Sequence, residues 1–150
     1  MKTYKAQLPE LILKYKKGNQ KKFKITSSKD SAKALMHMFS SDLIDYREEF
    51  IIIYLNQANN SIGWLKIATG GITSVIVDKR MIFATALQCG ATSIILAHNH
   101  PSGRIFPSAA DKRITKQIQA GAATLDIQVH DHIIVTSENG YFSFVDQGLM

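Results

Sequence analysis

The sequence predicts an α/β domain, a mixed β-sheet sandwiched by helices. Three observations carry this. The runs Phe50-Ile51-Ile52-Ile53-Tyr54-Leu55 and Thr92-Ser93-Ile94-Ile95-Leu96-Ala97 are almost continuously apolar and β-branched, as in strands covered on both faces. Helical stretches with start and stop signals stand between and after them. Glu138-Asn139-Gly140, flanked by apolar pieces, is a hairpin signal. Strands that alternate with both helices and hairpins imply a mixed sheet.

The 150 residues suit one domain with a sizeable core. The single cysteine, Cys89, excludes an intramolecular disulfide and any multi-cysteine zinc site. No secretory signal and no apolar stretch of membrane-spanning length is visible, so the expected location is cytoplasmic, with no membrane partner. The net charge of +6 is uneven: residues 1–24 carry eight lysines against one acid, and the remainder is close to neutral. The chain thus divides into a lysine-rich arm, residues 1–26, and a domain, residues 27–150. Such an arm can hold a nucleic-acid backbone by releasing counterions, or it can be a solvated terminus.

In the arm, Glu10–Lys17 has the makings of a helical turn stopped by Gly18-Asn19, and Phe23 and Ile25 open an extended piece. Ser27 to Ser31 offers N-caps for a helix with Ala32, Leu35, Met36 and Phe39 on one face, ending between Ser40 and Leu43. Glu49–Leu55 and Ser61–Ala68 are predicted as strands joined by an Asn-rich turn. Gly70-Gly71 ends the second, and Thr73–Val77 is extended. Asp78 caps a helix running to about Gln88, with Gly90 as its stop. The strand Thr92–Ala97 runs into His98. A Pro-Ser-Gly loop leads to a helix from Ser108 to about Ala123, then come strand candidates at Leu125–Val129, Ile133–Thr136 and Tyr141–Val145.

The chemistry concentrates in His98-Asn99-His100-Pro101-Ser102-Gly103, followed by Ser108 and Asp111. Side chains at i and i+2 of an extended segment point the same way, so His98 and His100 can reach one ion. The loop can fold Asp111 back to the strand end. Two histidines, a carboxylate and an open fourth position form a catalytic zinc pattern, in which the ion acidifies a water. Ser108-x-x-Asp111 is equally a capping box, and the two readings are compatible. A consecutive His-Asn-His is not the dispersed HNH nuclease unit, and a zinc deaminase would need His-x-Glu and a Pro-Cys-x-x-Cys. Hydrolysis also needs a general base. Glu48 and Glu49 are the candidates, and spacing leaves both open. His130-Asp131-His132 repeats the His-x-His pattern on a probable strand. It offers a second metal site, a supporting role in which Asp131 orients a ligand imidazole, or plain surface histidines.

These residues resemble the JAMM motif of MPN-domain metallopeptidases, and more closely its bacterial RadC-like branch. The likeness runs through Arg47-Glu48-Glu49-Phe50, Ala97-His98-Asn99-His100-Pro101-Ser102-Gly103, Pro107-Ser108, Asp131-His132-Ile133-Ile134-Val135 and Phe142-Ser143-Phe144, about residues 27–150. It implies an MPN fold similar to that of cytidine deaminases. It also implies one zinc on His98, His100 and Asp111, Glu48 as general base, Ser108 at the oxyanion, and a peptide or isopeptide substrate. Where the family has a His-Pro-Arg-Glu-like helix entry, this chain reads Val77-Asp78-Lys79-Arg80. Longer members carry an N-terminal helix-hairpin-helix region, so the chain resembles the short forms. The family's association with DNA repair supplies the alternative expectation, a non-catalytic nucleic-acid or protein-interaction module.

Overall fold

The computed structural model describes residues 21–70 and 75–150, with Pro9, Ile12, Gly18 and Asn19. The expected turn at Glu10–Lys17 and the start of the extended piece at Thr73 lie outside the described residues. Among the described residues the order is α1 (Ser28–Leu35), β1 (Glu49–Leu55), β2 (Ser61–Thr69), α2 (Lys79–Cys89), β3 (Ser93–Asn99), α3 (Ala109–Thr124), β4 (Gln128–Val135) and β5 (Tyr141–Ser143). One sheet holds all five strands in the order β2-β1-β3-β4-β5. β3 and β4 are parallel, and the other pairs are antiparallel. The mixed α/β sandwich is the architecture the sequence predicts.

The alternation along β1 and β3 explains why both strands read as continuous apolar runs. Phe50, Ile52, Tyr54, Ile94 and Leu96 face α2 and α3, where they meet Ile82, Ala86, Ile118 and Ala122. Ile51, Ile53, Leu55, Ile95 and Ala97 face the other way, onto Leu35 and Phe39. Every residue of both strands is buried. Full burial of one such aliphatic side chain contributes about 1.5–3 kcal/mol. These central strands are therefore a rigid base for whatever extends from their ends.

The helix signals hold locally. Asp78 accepts from the Arg80 N–H, and Gly90 closes α2 at φ 66°, a left-handed conformation that glycine adopts without a Cβ penalty. Two segments differ from expectation. α1 stops at Leu35, and turns carry the chain to Arg47. Met36 is exposed whereas Phe39 is buried, so the chain leaves the helical path to bury the larger aromatic ring. The two pieces expected at Leu125–Val129 and Ile133–Thr136 are one strand, β4, which begins at Gln128; Leu125 instead caps α3. Pairing with buried β3 holds the polar stretch His130–His132 in the sheet, against its local composition.

Candidate metal centre

β3 carries His98 to its carboxyl end, where the sheet order places β1 on one side and β4 on the other. His98 is opposite Phe50 in the ladder and its ring stacks on that phenyl, 5.7 Å between centroids. His100 lies just past the strand, but its N–H still donates to Val135 O at 3.1 Å. The extended path thus persists long enough for both imidazoles to share a side. The chain then reverses through Pro101-Ser102-Gly103. Gly103 sits at φ 75° and its carbonyl accepts from Asn139 Nδ2 at 2.7 Å. This turn brings the Arg104 carbonyl to 2.5 Å from His100 Nδ1. A carbonyl only accepts, so His100 carries its proton on Nδ1 and presents a lone pair at Nε2.

Asp111 arrives on the first turn of α3. The capping box is formed: Ser108 Oγ accepts from Asp111 N at 3.1 Å, and Asp111 Oδ2 accepts from Ser108 N at 2.7 Å. The same carboxylate faces both histidines, with Oδ1 3.2 Å from His98 Nε2 and Oδ2 3.3 Å from His100 Nε2. The two Nε2 atoms are 2.9 Å apart. Donor atoms of His98, His100 and Asp111 all lie within 4.8 Å of one another, a cluster that could hold a metal ion. Cap and ligand cluster use one residue, so the two sequence readings of Asp111 coexist.

The electrostatics favour a cation here. Burial alone would raise the Asp111 carboxyl, but the His100 and His98 imidazoles, which donate to it in their charged form, and the Ser108 N–H hold it well below the usual carboxylate range. Burial would likewise lower His100, yet the Asp111 and Arg104 hydrogen bonds and the Asp111 and Glu48 charges raise it.

His100 and Asp111 of the cluster line a cleft of about 720 Å³, together with the polar Glu48 and Ser108 and the apolar Phe50, Val77, Phe106 and Ile114. Glu48 is half-buried there, and burial pushes its carboxyl up, with the Asp111 charge adding to this and the two histidines opposing it. Glu49 goes elsewhere. It is fully buried and receives Lys66 Nζ at 2.8 Å, with Arg47 at 3.8 Å. Of the two candidate bases, only Glu48 therefore lines the cleft.

Four residues take partners that the sequence leaves open. Asn99, fully buried and between His98 and His100 in sequence, receives Glu49 N on Oδ1 at 2.7 Å and donates Nδ2 to Ile44 O and Arg47 O at 2.7 and 2.9 Å. It ties both flanks of Glu48 to the strand end. His132 is fully buried with Nε2 2.7 Å from His98 Nδ1, so it is not a surface histidine. Burial, reinforced by the nearby His98, holds its pKa far below the ordinary value. Asp131, the residue considered for orienting an imidazole, instead accepts from Ser143 Oγ, Val145 N and His132 N. His130 is half-buried, its Nε2 3.0 Å from Asn59 Oδ1. Among the described residues the three-residue cluster is the only candidate metal group. The lysine-rich arm lies largely outside the described residues, and none of the described helices is long and apolar enough to cross a membrane.

Comparison with known proteins agrees with this geometry. The family model described as RadC-like JAB domain matches residues 25–149. A UPF0758 protein of Flavobacterium johnsoniae is 45% identical over 145 residues, which is 97% of this chain and 58% of that protein. A UPF0758 protein of Porphyromonas gingivalis is 38% identical over 104 residues, 69% of this chain and 46% of its own length. The UPF0758 protein YfjY of Escherichia coli K12 is 44% identical over 104 residues, 69% of this chain and 64% of its own. The chain thus spans less than two thirds of the length of these relatives.

Proposed function

The chain belongs to the RadC-like JAB domain family, and from that premise we propose that it is a zinc-dependent hydrolase of the JAMM type, cleaving a peptide or isopeptide bond. The observation that carries this reading is the convergence of His98, His100 and Asp111, the last two lining a cleft that Glu48 also lines. The donor set fits the ion: two imidazoles and one carboxylate leave a fourth position open, as catalytic zinc sites do. His100 supports the fit with a free lone pair at Nε2, because its Nδ1 proton is engaged by Arg104 O.

His98, His100 and Asp111 would hold the ion, which supplies Lewis-acid polarisation of the carbonyl and an acidified water. Glu48 would take the proton of the attacking water on its carboxylate and return it to the departing amine. Its raised pKa brings it closer to neutrality, which suits a group that must both accept and release a proton. Ser108 Oγ keeps a lone pair on the Asp111 N–H, which leaves its own hydroxyl proton for the developing oxyanion at the helix N-terminus. Phe50, Val77, Phe106 and Ile114 would seat an apolar part of the substrate and exclude bulk water.

Zinc content after reconstitution and dialysis is the test. Wild type should retain about one ion per chain, as a three-ligand site requires, and His98→Ala should fall to background. Glu48→Gln should keep the zinc but lose at least about 100-fold in hydrolysis of quenched-fluorescent peptides or lysine-linked isopeptides. Equal, sub-stoichiometric zinc in wild type and His98→Ala would overturn the metal assignment. Loss of hydrolysis in Glu49→Gln with Glu48→Gln unaffected would overturn the base.

A further inference from the structure

We propose that His132 is a positioning residue of the metal centre: a buried relay from the Asp111 carbonyl through Thr115 and His132 fixes His98 as its Nδ1–H tautomer and leaves the Nε2 lone pair facing the ion. The inference rests on the metal reading above and adds to it a residue outside the ligand set.

The relay has three links. Thr115 Oγ1 is 2.6 Å from the Asp111 backbone oxygen, the same Oγ1 is 2.6 Å from His132 Nδ1, and His132 Nε2 is 2.7 Å from His98 Nδ1. Proton counting along it admits one arrangement for neutral rings. The Asp111 carbonyl can only accept, so the single Thr115 hydroxyl proton goes to it. Thr115 Oγ1 must then accept, so His132 Nδ1 carries a proton. A neutral imidazole has one proton, so His132 Nε2 accepts, and His98 Nδ1 must donate. His98 Nε2 is left with its lone pair, 3.2 Å from Asp111 Oδ1 and 2.9 Å from His100 Nε2, inside the ligand cluster.

No other group competes for these atoms among the described residues. Thr115, His132 and His98 are all buried, and the His132 nitrogens have no other hydrogen-bond partner among the described residues. The His132 ring is clamped by Phe144, stacked at 4.7 Å, and by the edge of Phe50 at 5.5 Å. The relay also begins on the backbone of the third ligand. It therefore couples the position of α3, which supplies Asp111, to the ring orientation of His98 on β3. His100 is oriented separately, by the Arg104 carbonyl of an exposed loop. One imidazole is set by the core and the other by the loop.

Two measurements test this. Imidazole ¹⁵N NMR of the metal-free chain should show His98 protonated on Nδ1; a His98 ring whose only proton sits on Nε2 overturns the relay. Thr115→Val keeps the shape and removes the hydroxyl, so cobalt(II) or zinc(II) affinity in a chelator competition should fall about 10–100-fold, and Thr115→Ser should restore it. His132→Phe keeps a packed ring without nitrogens and should lose at least as much; if it does not fold, Thr115→Val decides. Wild-type metal affinity in Thr115→Val overturns the relay while leaving the zinc reading intact. A wild type that binds no metal defeats the zinc reading, and the NMR tautomer then decides the relay alone.

Discussion

The chain contains His-x-His twice, on neighbouring parallel strands, and the two copies have different fates. In β3 the ladder is regular through Asn99, so His98 and His100 keep the i, i+2 relationship and converge. In β4 the register steps from Val129 opposite Ile94 to Asp131 opposite Ile95, skipping His130. That extra residue is a bulge, and a bulge breaks the alternation on which the pattern depends. His130 is diverted to Asn59, while His132 returns to the face shared with His98. An identical motif therefore yields two converging imidazoles where the strand is straight, and only one imidazole on the shared face where it is bulged.

The middle residues sharpen the contrast. Asn99 and Asp131 each make three hydrogen bonds through a buried side chain, but their partners ask for different chemistry. Asn99 meets two carbonyls and one N–H, which only an amide can satisfy. Asp131 meets a hydroxyl and two N–H groups, which suits an acceptor-only carboxylate. Exchanging the two residue types breaks the comparison at its strongest point. Asn99→Asp turns an acceptor toward Ile44 O and Arg47 O and buries an unpaired charge, so thermal or urea unfolding should show a loss of about 3–5 kcal/mol. Asp131→Asn misplaces one donor and should cost about 1–3 kcal/mol. A larger loss for Asp131→Asn would invert this ranking.

A smaller effect concerns Glu48, whose flanks Asn99 holds. Burial raises its carboxyl pKa in the metal-free protein, so the charged form is the disfavoured one. Side-chain ¹³C NMR should follow Glu48 deprotonating above the ordinary glutamate range as pH rises. Zinc addition should move that midpoint down, because a nearby cation favours the carboxylate. A midpoint unmoved by zinc would place Glu48 too far from the ion to serve it. The smallest effect belongs to the diverted imidazole: His130→Ala should change stability by no more than about 0.5 kcal/mol and leave metal content untouched.

What the sequence makes legible is what local pattern controls. β1 and β3 follow from unbroken β-branched runs, α2 from Asp78 and Gly90, and α3 from Ser108-x-x-Asp111, each an interaction over a few residues. His98, His100 and Asp111 are legible because a strand end, a tight turn and a helix start lie within fourteen positions. The unread parts depend on distant pairing. His132 reaches His98 through the β3–β4 register, 34 residues apart in sequence. Asn99 reaches Glu49 across 50 residues. The separation of Glu48 from Glu49 depends on Lys66 of β2 claiming the latter, and α1 ends early because Phe39 outcompetes Met36 for the core.

The Asn99 clamp has a consequence for the protein's motions. Irregular turns such as residues 36–47 ordinarily open on their own, at little free-energy cost, and exchange their amide hydrogens quickly. Here the end of that segment is fastened by a side chain rooted in a fully buried strand of the sheet. The Glu49 amide, donated to Asn99, should exchange with the slow class of β3 and not with the fast class of the turn. Glu48, although it sits outside any strand, then belongs to the same cooperative unfolding unit as the histidines it faces.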